Sequence, residues 1–174
     1  MIWHESEHLI IRNMIPEDAA VFTKEEIEQG WNQTEEKYRM RLAHQNDSQC
    51  IALTAVFDGC QAGYISVYFK ASHGPFAGSG CPEIVDFGVL EKYRCRGIGT
   101  ALMDTAEKIA SAYGDIVCLG VGLHAGYGSA QRMYAKRGYI PDGSGVWYDD
   151  HPCMPYARYD VDDSLILHLY KVLR

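Results

Sequence analysis

The sequence predicts a single α/β domain, residues 1–174, in which strands and helices are interspersed along the chain. Three observations support this fold class. With 174 residues and 47 % apolar content, the chain can bury one hydrophobic core. Strand-like and helix-like patterns follow one another from end to end, without an internal repeat or a linker-like segment. A glycine-rich turn joins one strand directly to a long helix near the middle of the chain.

The N-terminal part of the chain predicts one strand followed by two helices. The run HLIIRN has the pattern of a short apolar strand. Pro16 then follows with Glu17 and Asp18, which is a typical helix start. The segment TEEKYRMRLAHQ offers Thr34 as an N-cap and has acidic residues in its first turn. We therefore expect helices from Pro16 and after Thr34.

A β-hairpin is predicted next. Two runs rich in β-branched and aromatic residues, CIALTAVF and QAGYISVYFKA, flank the dipeptide Asp58-Gly59. This dipeptide favours the tight turn that joins two antiparallel strands. Beyond the hairpin, the patterns predict strands in 83–90, 115–123 and 164–173 and helices in 97–114 and 128–138. The first of these helices has an apolar face formed by Ile98, Leu102, Ala106 and Ile109.

Composition and charge exclude several classes of protein. The chain has 16 Lys and Arg against 23 Asp and Glu, a net charge of −7, whereas nucleic-acid binding needs a basic excess. No apolar run reaches membrane-spanning length, and the N-terminus lacks a secretory signal pattern. The six cysteines form no CxxC pair, and His4 and His8 lack a third ligand, so we expect no metal. The sequence predicts a cytoplasmic protein without nucleic-acid or membrane partners, whose acidity suits a cationic ligand.

The glycine-rich turn is the most informative motif. Arg94, Gly97 and Gly99 stand between the strand 83–90 and the following helix. Amides at a helix start have no intrahelical acceptor, the helix dipole attracts negative charge, and glycine lets a phosphate approach the main chain. The Lys-Ser/Thr pair of nucleotide triphosphatases is absent from the sequence, and so is the dinucleotide fingerprint. The turn therefore predicts a pyrophosphate site of a third type.

The pattern R-x-x-G-x-G of Arg94, Gly97 and Gly99 resembles the coenzyme A pyrophosphate loop of the GNAT superfamily of N-acetyltransferases. Upstream, DFGVLEKYR is similar to the family's fourth strand, and downstream GSAQRMYAKRGY is similar to its A-x-x-x-Y-x-x-x-G-F segment. The resemblance implies a central mixed, mostly antiparallel twisted sheet of about six or seven strands, splayed between strands four and five and flanked by about four helices. It also implies acetyl-CoA-dependent N-acetylation of a primary amine.

The resemblance further implies which residues contact the coenzyme. Main-chain groups of the fourth strand would pair with the pantetheine arm, and the amide of Val89 or its neighbour would donate to the developing oxyanion. The loop amides, more than the arginine side chains, would hold the pyrophosphate. Tyr127 replaces an asparagine that is common in the family, which leaves Tyr127, Gly128 and Ser129 as candidate contacts. The predicted coenzyme contacts are Phe87, Val89, Leu90, Arg94, Cys95, Arg96, Gly97, Ile98, Gly99, Thr100 and Ser129.

Two residues are predicted to take part in proton transfer. Tyr134 stands where many family members place a tyrosine near the coenzyme sulfur, and it would protonate the leaving thiolate. Glu83 lies eleven residues before Arg94, at the place of the catalytic glutamate in the histone-acetyltransferase branch, and it would be the general base. Asp86 and His124 are the alternative bases. Strand alternation places Asp86 on the face opposite Glu83.

The acceptor amine is indicated less directly. Segment 142–163 combines aromatic and acidic side chains and is expected to be a loop, which either lines a pocket for a cationic amine or is an ordinary surface loop. A polyamine, an aminoglycoside or a protein amine would fit, and family analogy points to a homodimer. Cys81 and Cys153 are conceivable acyl acceptors, but the expected mechanism is direct attack. A catalytically silent acyl-CoA sensor and a transferase of succinyl or longer acyl groups are the alternative interpretations.

Overall fold

The computed structural model describes residues 1–173, which form nine β-strands and four α-helices. The strands are β1 (Ile2–Glu5), β2 (Leu9–Asn13), β3 (Cys50–Phe57), β4 (Cys60–Tyr68), β5 (Glu83–Val89), β6 (Ile116–Gly122), β7 (Ile140–Tyr148), β8 (His151–Pro152) and β9 (Leu165–Val172). The helices are α1 (Pro16–Glu28), α2 (Glu35–Asn46), α3 (Ile98–Ala110) and α4 (Gly128–Lys136). The chain divides into two units: residues 1–68 with 84–109, and residues 69–83 with those from Ala110 onward.

Hydrogen bonds join the strands of the first unit in the order β1-β2-β3-β4-β5. The pairs β1–β2, β2–β3 and β3–β4 are antiparallel. In the turn between β3 and β4, Phe57 lies opposite Cys60, and Asp58 and Gly59 have φ angles of 48° and 80°. Two successive positive φ angles are typical of the two-residue turn that matches strand twist. The predicted hairpin is therefore confirmed.

Helix α1 begins at Pro16, as predicted, and α2 begins at Glu35, directly after Thr34. The α1 start is stabilised by the buried carboxylate of Asp18, which accepts hydrogen bonds from the Ile15 amide at 3.0 Å and from the Arg12 guanidinium at 2.7 and 2.8 Å. These bonds satisfy helix-start donors and fix the path of the chain from β2 into α1.

The core of the first unit forms where helix faces meet the sheet. Phe22 of α1, Tyr38 of α2 and Tyr64 of β4 are buried together, with ring centroids 5.1 to 5.5 Å apart. Their edge-to-face and stacked contacts add specific geometry to the burial of apolar area. Helix α3 buries the predicted face, whose members Ile98, Leu102, Ala106 and Ile109 are at most 3 % exposed. The predicted amphipathic helix is confirmed.

Hydrogen bonds join the strands of the second unit in the order β6-β9-β7-β8, and these pairs are antiparallel. Glu83, the first residue of β5, belongs to this unit and lies opposite Cys118 of β6 in a parallel pair. The Cys118 amide donates to the Pro82 carbonyl at 3.0 Å beside this pair. A small cluster of Ala71, Cys81 and Cys118 is buried around it.

The expectation of a loop over 142–163 is wrong for its first half, residues 142–152. Strand β7 runs to Tyr148 and forms a tight hairpin with β8, whose turn residues Asp149 and Asp150 have φ angles of 47° and 62°. Gly143 and Gly145 give this segment little intrinsic strand preference. The segment is a strand because it pairs with β9, where Trp147 lies opposite Ile166. The local sequence pattern does not predict this pairing.

The predicted fold class is confirmed as a mixed, mostly antiparallel α/β architecture with four helices. The strand count is nine, rather than six or seven, because the N-terminal residues pair as β1 and the late segment contributes β7 and β8. That residues 1–174 form a single domain stays a prediction. Among residues 1–173, none of the helices is long and apolar enough to cross a membrane.

Candidate active site

The loop before α3 has the geometry of an anion site. Cys95 and Gly97 have φ angles of 61° and 79°, and the first bond of the helix runs from the Ala101 amide to the Gly97 carbonyl at 3.0 Å. The amides of residues 98–100 therefore precede the first helical donor, the Ala101 amide, and point out of the helix start. A Cβ atom at Gly97 would meet no atom within 4 Å, so the space beside this main chain is open. The cradle fits a pyrophosphate.

The two arginine side chains of the loop are held by neighbouring groups. Arg94 donates to the Val89 carbonyl at 3.4 Å and to Glu91 at 3.2 Å, and its guanidinium lies 5.7 Å from the Trp31 ring. Arg96 lies 5.5 Å from the ring of Phe57. These contacts keep positive charge beside the loop. That the main-chain amides, more than these side chains, contact the anion stays a prediction.

Strand β5 is irregular at Asp86, whose φ angle of 52° lies in the left-handed region. A left-handed residue interrupts the alternation of side chains along a strand. The prediction that Asp86 and Glu83 lie on opposite faces of the strand therefore does not follow from their spacing. The Asp86 carboxylate accepts a short hydrogen bond from Nε of Arg41. The Asp86 carboxylate is thus engaged in an ion pair with a side chain of α2.

Leu90, one of the predicted coenzyme contacts, uses its main-chain groups within the chain. Its amide donates to the Ala62 carbonyl at 2.9 Å, and its carbonyl accepts from the Tyr93 amide at 2.9 Å. Its side chain is 1 % exposed. Leu90 therefore anchors the end of β5 to β4 and the following turn. Phe87 and Val89 stay predicted contacts.

A buried polar network in the first unit was not predicted from the sequence. Glu26 of α1 is fully buried and accepts hydrogen bonds from the hydroxyls of Tyr38, at 2.5 Å, and Tyr64. The Lys37 ammonium lies 3.6 Å from this carboxylate and 4.5 Å and 4.7 Å from the two rings. Burial, followed by the neighbouring charge and hydrogen bonds, raises the pKa of both tyrosines. The only sequence sign was the helical spacing of Phe22 and Glu26.

The Tyr64 ring brings this network against the main chain of β5. A Cβ atom placed on Gly88 would lie 2.6 Å from the Tyr64 hydroxyl, so only glycine fits at position 88 without displacing the ring. Likewise, a Cβ atom on Gly63 would lie 2.7 Å from the Gly88 carbonyl oxygen. Close packing of β4 and β5 at two glycines therefore sets where the β5 main chain runs.

Tyr134 and Glu83 lie in the second unit. Tyr134, on α4, is 5 % exposed, and its ring centroid is 5.6 Å from that of Tyr139. Burial raises the pKa of Tyr134, with a further contribution from Tyr127. A hydroxyl with a raised pKa keeps its proton at neutral pH and is therefore present in the form that can donate a proton. Glu83 is half-buried at the start of β5, and Ser129 lies in the first turn of α4.

His124 is occupied on both ring nitrogens. Nδ1 accepts a hydrogen bond from the Gly126 amide at 3.1 Å, and Nε2 lies 2.9 Å from the carboxylate of Asp163. Because an amide can only donate, Nδ1 carries no proton and Nε2 is the donor. Tyr127 donates to the same carboxylate at 2.9 Å, and the two hydrogen bonds lower the pKa of Asp163. This arrangement argues against His124 as a free base.

The aromatic and acidic residues of 142–163 pair largely with one another and with nearby main chain. The Tyr148 hydroxyl donates to Asp162 at 3.0 Å, and its ring lies 5.5 Å from that of Tyr159. Asp150 accepts from the Gly74 amide at 2.6 Å. These contacts match the interpretation of a surface segment tied down by aromatic residues.

All six cysteines, including Cys81 and Cys153, have free thiols. Within residues 1–173, no group of three or more His, Cys, Asp or Glu side chains is arranged to hold a metal ion.

Comparison with known proteins places this geometry in a family. A model described as the acetyltransferase (GNAT) family matches residues 14–139. The chain belongs to the GNAT acetyltransferase family. The match includes Glu83, the loop from Arg94 to Thr100, and Tyr134, and it ends before β7. No curated protein sequence matches the chain significantly.

Solved GNAT structures share the fold. The Salmonella typhimurium acetyltransferase that modifies the N-terminal serine of ribosomal protein L7/L12 has a TM-score of 0.71 at 9 % identity, with 99 % of each chain covered. Ard1 from Thermoplasma volcanium has a TM-score of 0.68 at 18 % identity, covering 95 % of this chain and 97 % of its own. The yncA protein of Salmonella typhimurium, solved with its cofactor acetyl-CoA, has a TM-score of 0.67 at 15 % identity, with 97 % and 95 % covered.

Proposed function

We propose that this GNAT-family chain is an acetyl-CoA-dependent N-acetyltransferase that moves an acetyl group to a primary amine by direct attack. The observation that carries the proposal is the loop before α3, where a left-handed glycine with open space beside it precedes the unpaired amides of a helix start. The family match adds independent support.

In this proposal the first unit binds the coenzyme. The amides of Ile98, Gly99 and Thr100 hold the pyrophosphate, and Arg94 and Arg96 add positive charge beside it. Main-chain groups of Phe87 and Val89 pair with the pantetheine arm, as in the family resemblance. Leu90 is left out because its main-chain groups are used within the chain. When bound, acetyl-CoA supplies the acetyl group as a thioester.

Glu83 and Tyr134 carry the proton transfers in this proposal. The Glu83 carboxylate takes a proton from the acceptor's ammonium group, and the neutral nitrogen forms its bond to the thioester carbonyl carbon. The Val89 amide donates a hydrogen bond to the oxygen on which negative charge develops. The carbon–sulfur bond breaks, and the Tyr134 hydroxyl gives its proton to the sulfur. The nitrogen loses its second proton as the amide forms, and uptake of a proton returns Tyr134 to its neutral form. The products are an N-acetylated amine and coenzyme A.

The acceptor is proposed to be a cationic amine, either a small molecule or a protein amine. The net charge of −7 favours the approach of a cation. One GNAT neighbour modifies the N-terminal serine of a ribosomal protein, which makes a protein α-amine a reasonable acceptor to test first. The free cysteines suit a reducing, cytoplasmic location, and a homodimer follows from family analogy.

Calorimetric titration with acetyl-CoA tests the coenzyme assignment. Gly97→Glu places a carboxylate where the pyrophosphate is proposed to lie, so we expect this variant to lose binding at least tenfold. Gly78→Glu is a matched control, because Gly78 is also exposed, has a φ angle of 74° and has open space around it. The control should bind as the unmodified protein does. Failure of the unmodified protein to bind would overturn the proposal.

A panel of amines then separates an enzyme from a coenzyme-binding sensor. We expect acetylation of at least one cationic amine or N-terminal peptide, measured as release of the coenzyme A thiol. Binding with no thiol release across the panel, and with no slow hydrolysis of acetyl-CoA, would favour the sensor. Titration with succinyl-CoA tests the longer-acyl alternative.

A further inference from the structure

The left-handed residue of β5 precedes the main-chain groups proposed to meet the coenzyme. Asp86 has a φ angle of 52°, and Phe87 and Val89 follow it in the same strand. A non-glycine residue occupies this region only when its surroundings hold it there. An irregularity of this kind redirects the peptide groups of the strand beyond it. Whatever holds Asp86 therefore sets the direction of the following amides.

Arg41 of α2 is the ion-pair partner of Asp86. Its Nε donates to the Asp86 carboxylate, and a second guanidinium nitrogen donates to the Tyr68 hydroxyl at 2.5 Å. The Tyr68 hydroxyl is in turn 2.6 Å from Nδ1 of His44, and the Arg41 guanidinium lies 5.2 Å from the Tyr68 ring. The Arg41 and Asp86 side chains are only 18 % and 23 % exposed. Partial burial and several partners make this pair far more constrained than a surface ion pair.

We propose that Arg41 is a positioning residue for acetyl transfer: its ion pair with Asp86 keeps β5 in the irregular conformation that directs the amides of Phe87 and Val89. The inference rests on the proposed function, since those amides matter for catalysis only if a thioester lies against them. Arg41 does not touch the reacting atoms. It acts through the conformation of residue 86.

Replacement of Arg41 tests the proposal against a matched control on the same helix. Arg41→Met removes the guanidinium and keeps an unbranched side chain of similar length. We expect kcat to fall about tenfold to a hundredfold, because a small misplacement of catalytic groups has effects of that order. The affinity for coenzyme A, which depends mainly on the intact pyrophosphate loop, should change less than about threefold. Arg39→Met is the control, because Arg39 is 65 % exposed and pairs only with Glu35 on the helix surface among the described contacts.

Substitutions at Asp86 separate a conformational role from a chemical one. Glycine adopts positive φ without strain, whereas alanine does not. The double variant Arg41→Met/Asp86→Gly should therefore recover a higher kcat than Arg41→Met/Asp86→Ala, by at least about threefold. Neither variant carries the Asp86 carboxylate, so the difference between their kcat values reports only the backbone conformation at residue 86. Equal kcat values in the two double variants would overturn the proposal, as would an Arg41→Met variant as active as Arg39→Met.

Amide hydrogen exchange tests the structural role of Arg41 independently of the proposed function. In the coenzyme-free protein, we expect faster exchange of the Phe87 and Val89 amides in Arg41→Met than in Arg39→Met. Of the two double variants, the one with Asp86→Gly should exchange these amides more slowly than the one with Asp86→Ala. If acetyl-CoA binding fails while this exchange pattern holds, the proposed function is wrong and the structural role of Arg41 stands. If the amides exchange equally in all variants, the role of Arg41 is wrong whatever the activity.

Discussion

Hydrogen-bond partners decide which single side chains can exchange protons in this acetyltransferase. His124 uses both ring nitrogens, and the Asp86 carboxylate is paired with Arg41. Tyr134 is buried on α4 and keeps its proton because burial raises its pKa. Glu83, half-buried at the start of β5, stays the proposed base.

Tyr134→Phe tests the proposed acid while keeping the buried ring. We expect kcat to fall about a hundredfold or more, because general acid catalysis contributes on that order. Coenzyme A affinity should be unchanged, since the substitution removes one hydroxyl. Tyr139→Phe is the matched control, as Tyr139 is a neighbouring buried tyrosine that is 4 % exposed. Equal losses in both variants would show that the effect is one of packing.

The pKa of Tyr134 also predicts the alkaline behaviour of the enzyme. A raised pKa means that the hydroxyl stays protonated to a higher pH than a free tyrosine, whose pKa is about 10. We therefore expect no loss of kcat from this residue between about pH 7 and pH 10. A pH profile of kcat for the unmodified protein checks this. A decline centred below about pH 9 that Tyr134→Phe abolishes would contradict it.

At the scale of elements, buried carboxylates tie helices to strands. Asp18 connects the start of α1 with β2 through Arg12, and with β3 through the Thr54 hydroxyl at 2.8 Å. Burial acts to raise the pKa of Asp18, but hydrogen bonds from Arg12, Ile15 and Thr54 outweigh it, and the pKa is lowered overall. A carboxylate with a lowered pKa stabilises the fold while it is charged.

Asp18→Asn should therefore destabilise the protein in a pH-dependent way. At pH 7 we expect a loss of about 3 kcal/mol in the free energy of unfolding, because a buried ion pair loses one partner. The contribution of Asp18 is full above its unfolded-state pKa of about 3.9 and is lost as the pH falls through its lower folded-state value. The difference between the two proteins should shrink below about pH 4. Urea titrations at pH 7 and pH 3 measure it.

Glu17→Gln is the control for that comparison. Glu17 is the adjacent acidic residue in the first turn of α1, and it is exposed. We expect it to change the free energy of unfolding by less than about 0.5 kcal/mol at either pH. Equal destabilisation by the two substitutions would assign the effect to the helix dipole rather than to the buried pair.

At the scale of the whole molecule, coenzyme binding should raise the unfolding temperature. A ligand at about one hundred times its Kd adds about 2.7 kcal/mol to folded-state stability. For a chain of this size, that corresponds to a rise of roughly 5–10 °C in Tm. Thermal unfolding with and without acetyl-CoA measures the shift. Gly97→Glu should lose the shift and Gly78→Glu should keep it, while equal shifts in both would place the coenzyme elsewhere.

The sequence predicted those parts of the fold that depend on local pattern. The hairpin turn at Asp58-Gly59, the α1 start at Pro16 and the buried face of α3 are each specified by residues close in the chain. The β7–β8 hairpin was missed because β7 contains two glycines and is largely exposed, β8 has only two residues, and β7 depends on pairing with β9. Long-range pairing of that kind leaves little trace in a local window.

The sequence by itself indicated the GNAT acetyltransferase family and predicted a pyrophosphate site before α3, because a helix-start anion site is built from a few residues that are neighbours in the chain. Only the tertiary structure decided which side chains around that loop are engaged. Each of these contacts joins residues that are distant in sequence: the Leu90–Ala62 main-chain bond, the His124–Asp163 hydrogen bond, the Glu26 network and the Arg41–Asp86 ion pair. A side chain's protonation and orientation follow from its partners in space, and a linear motif does not contain them.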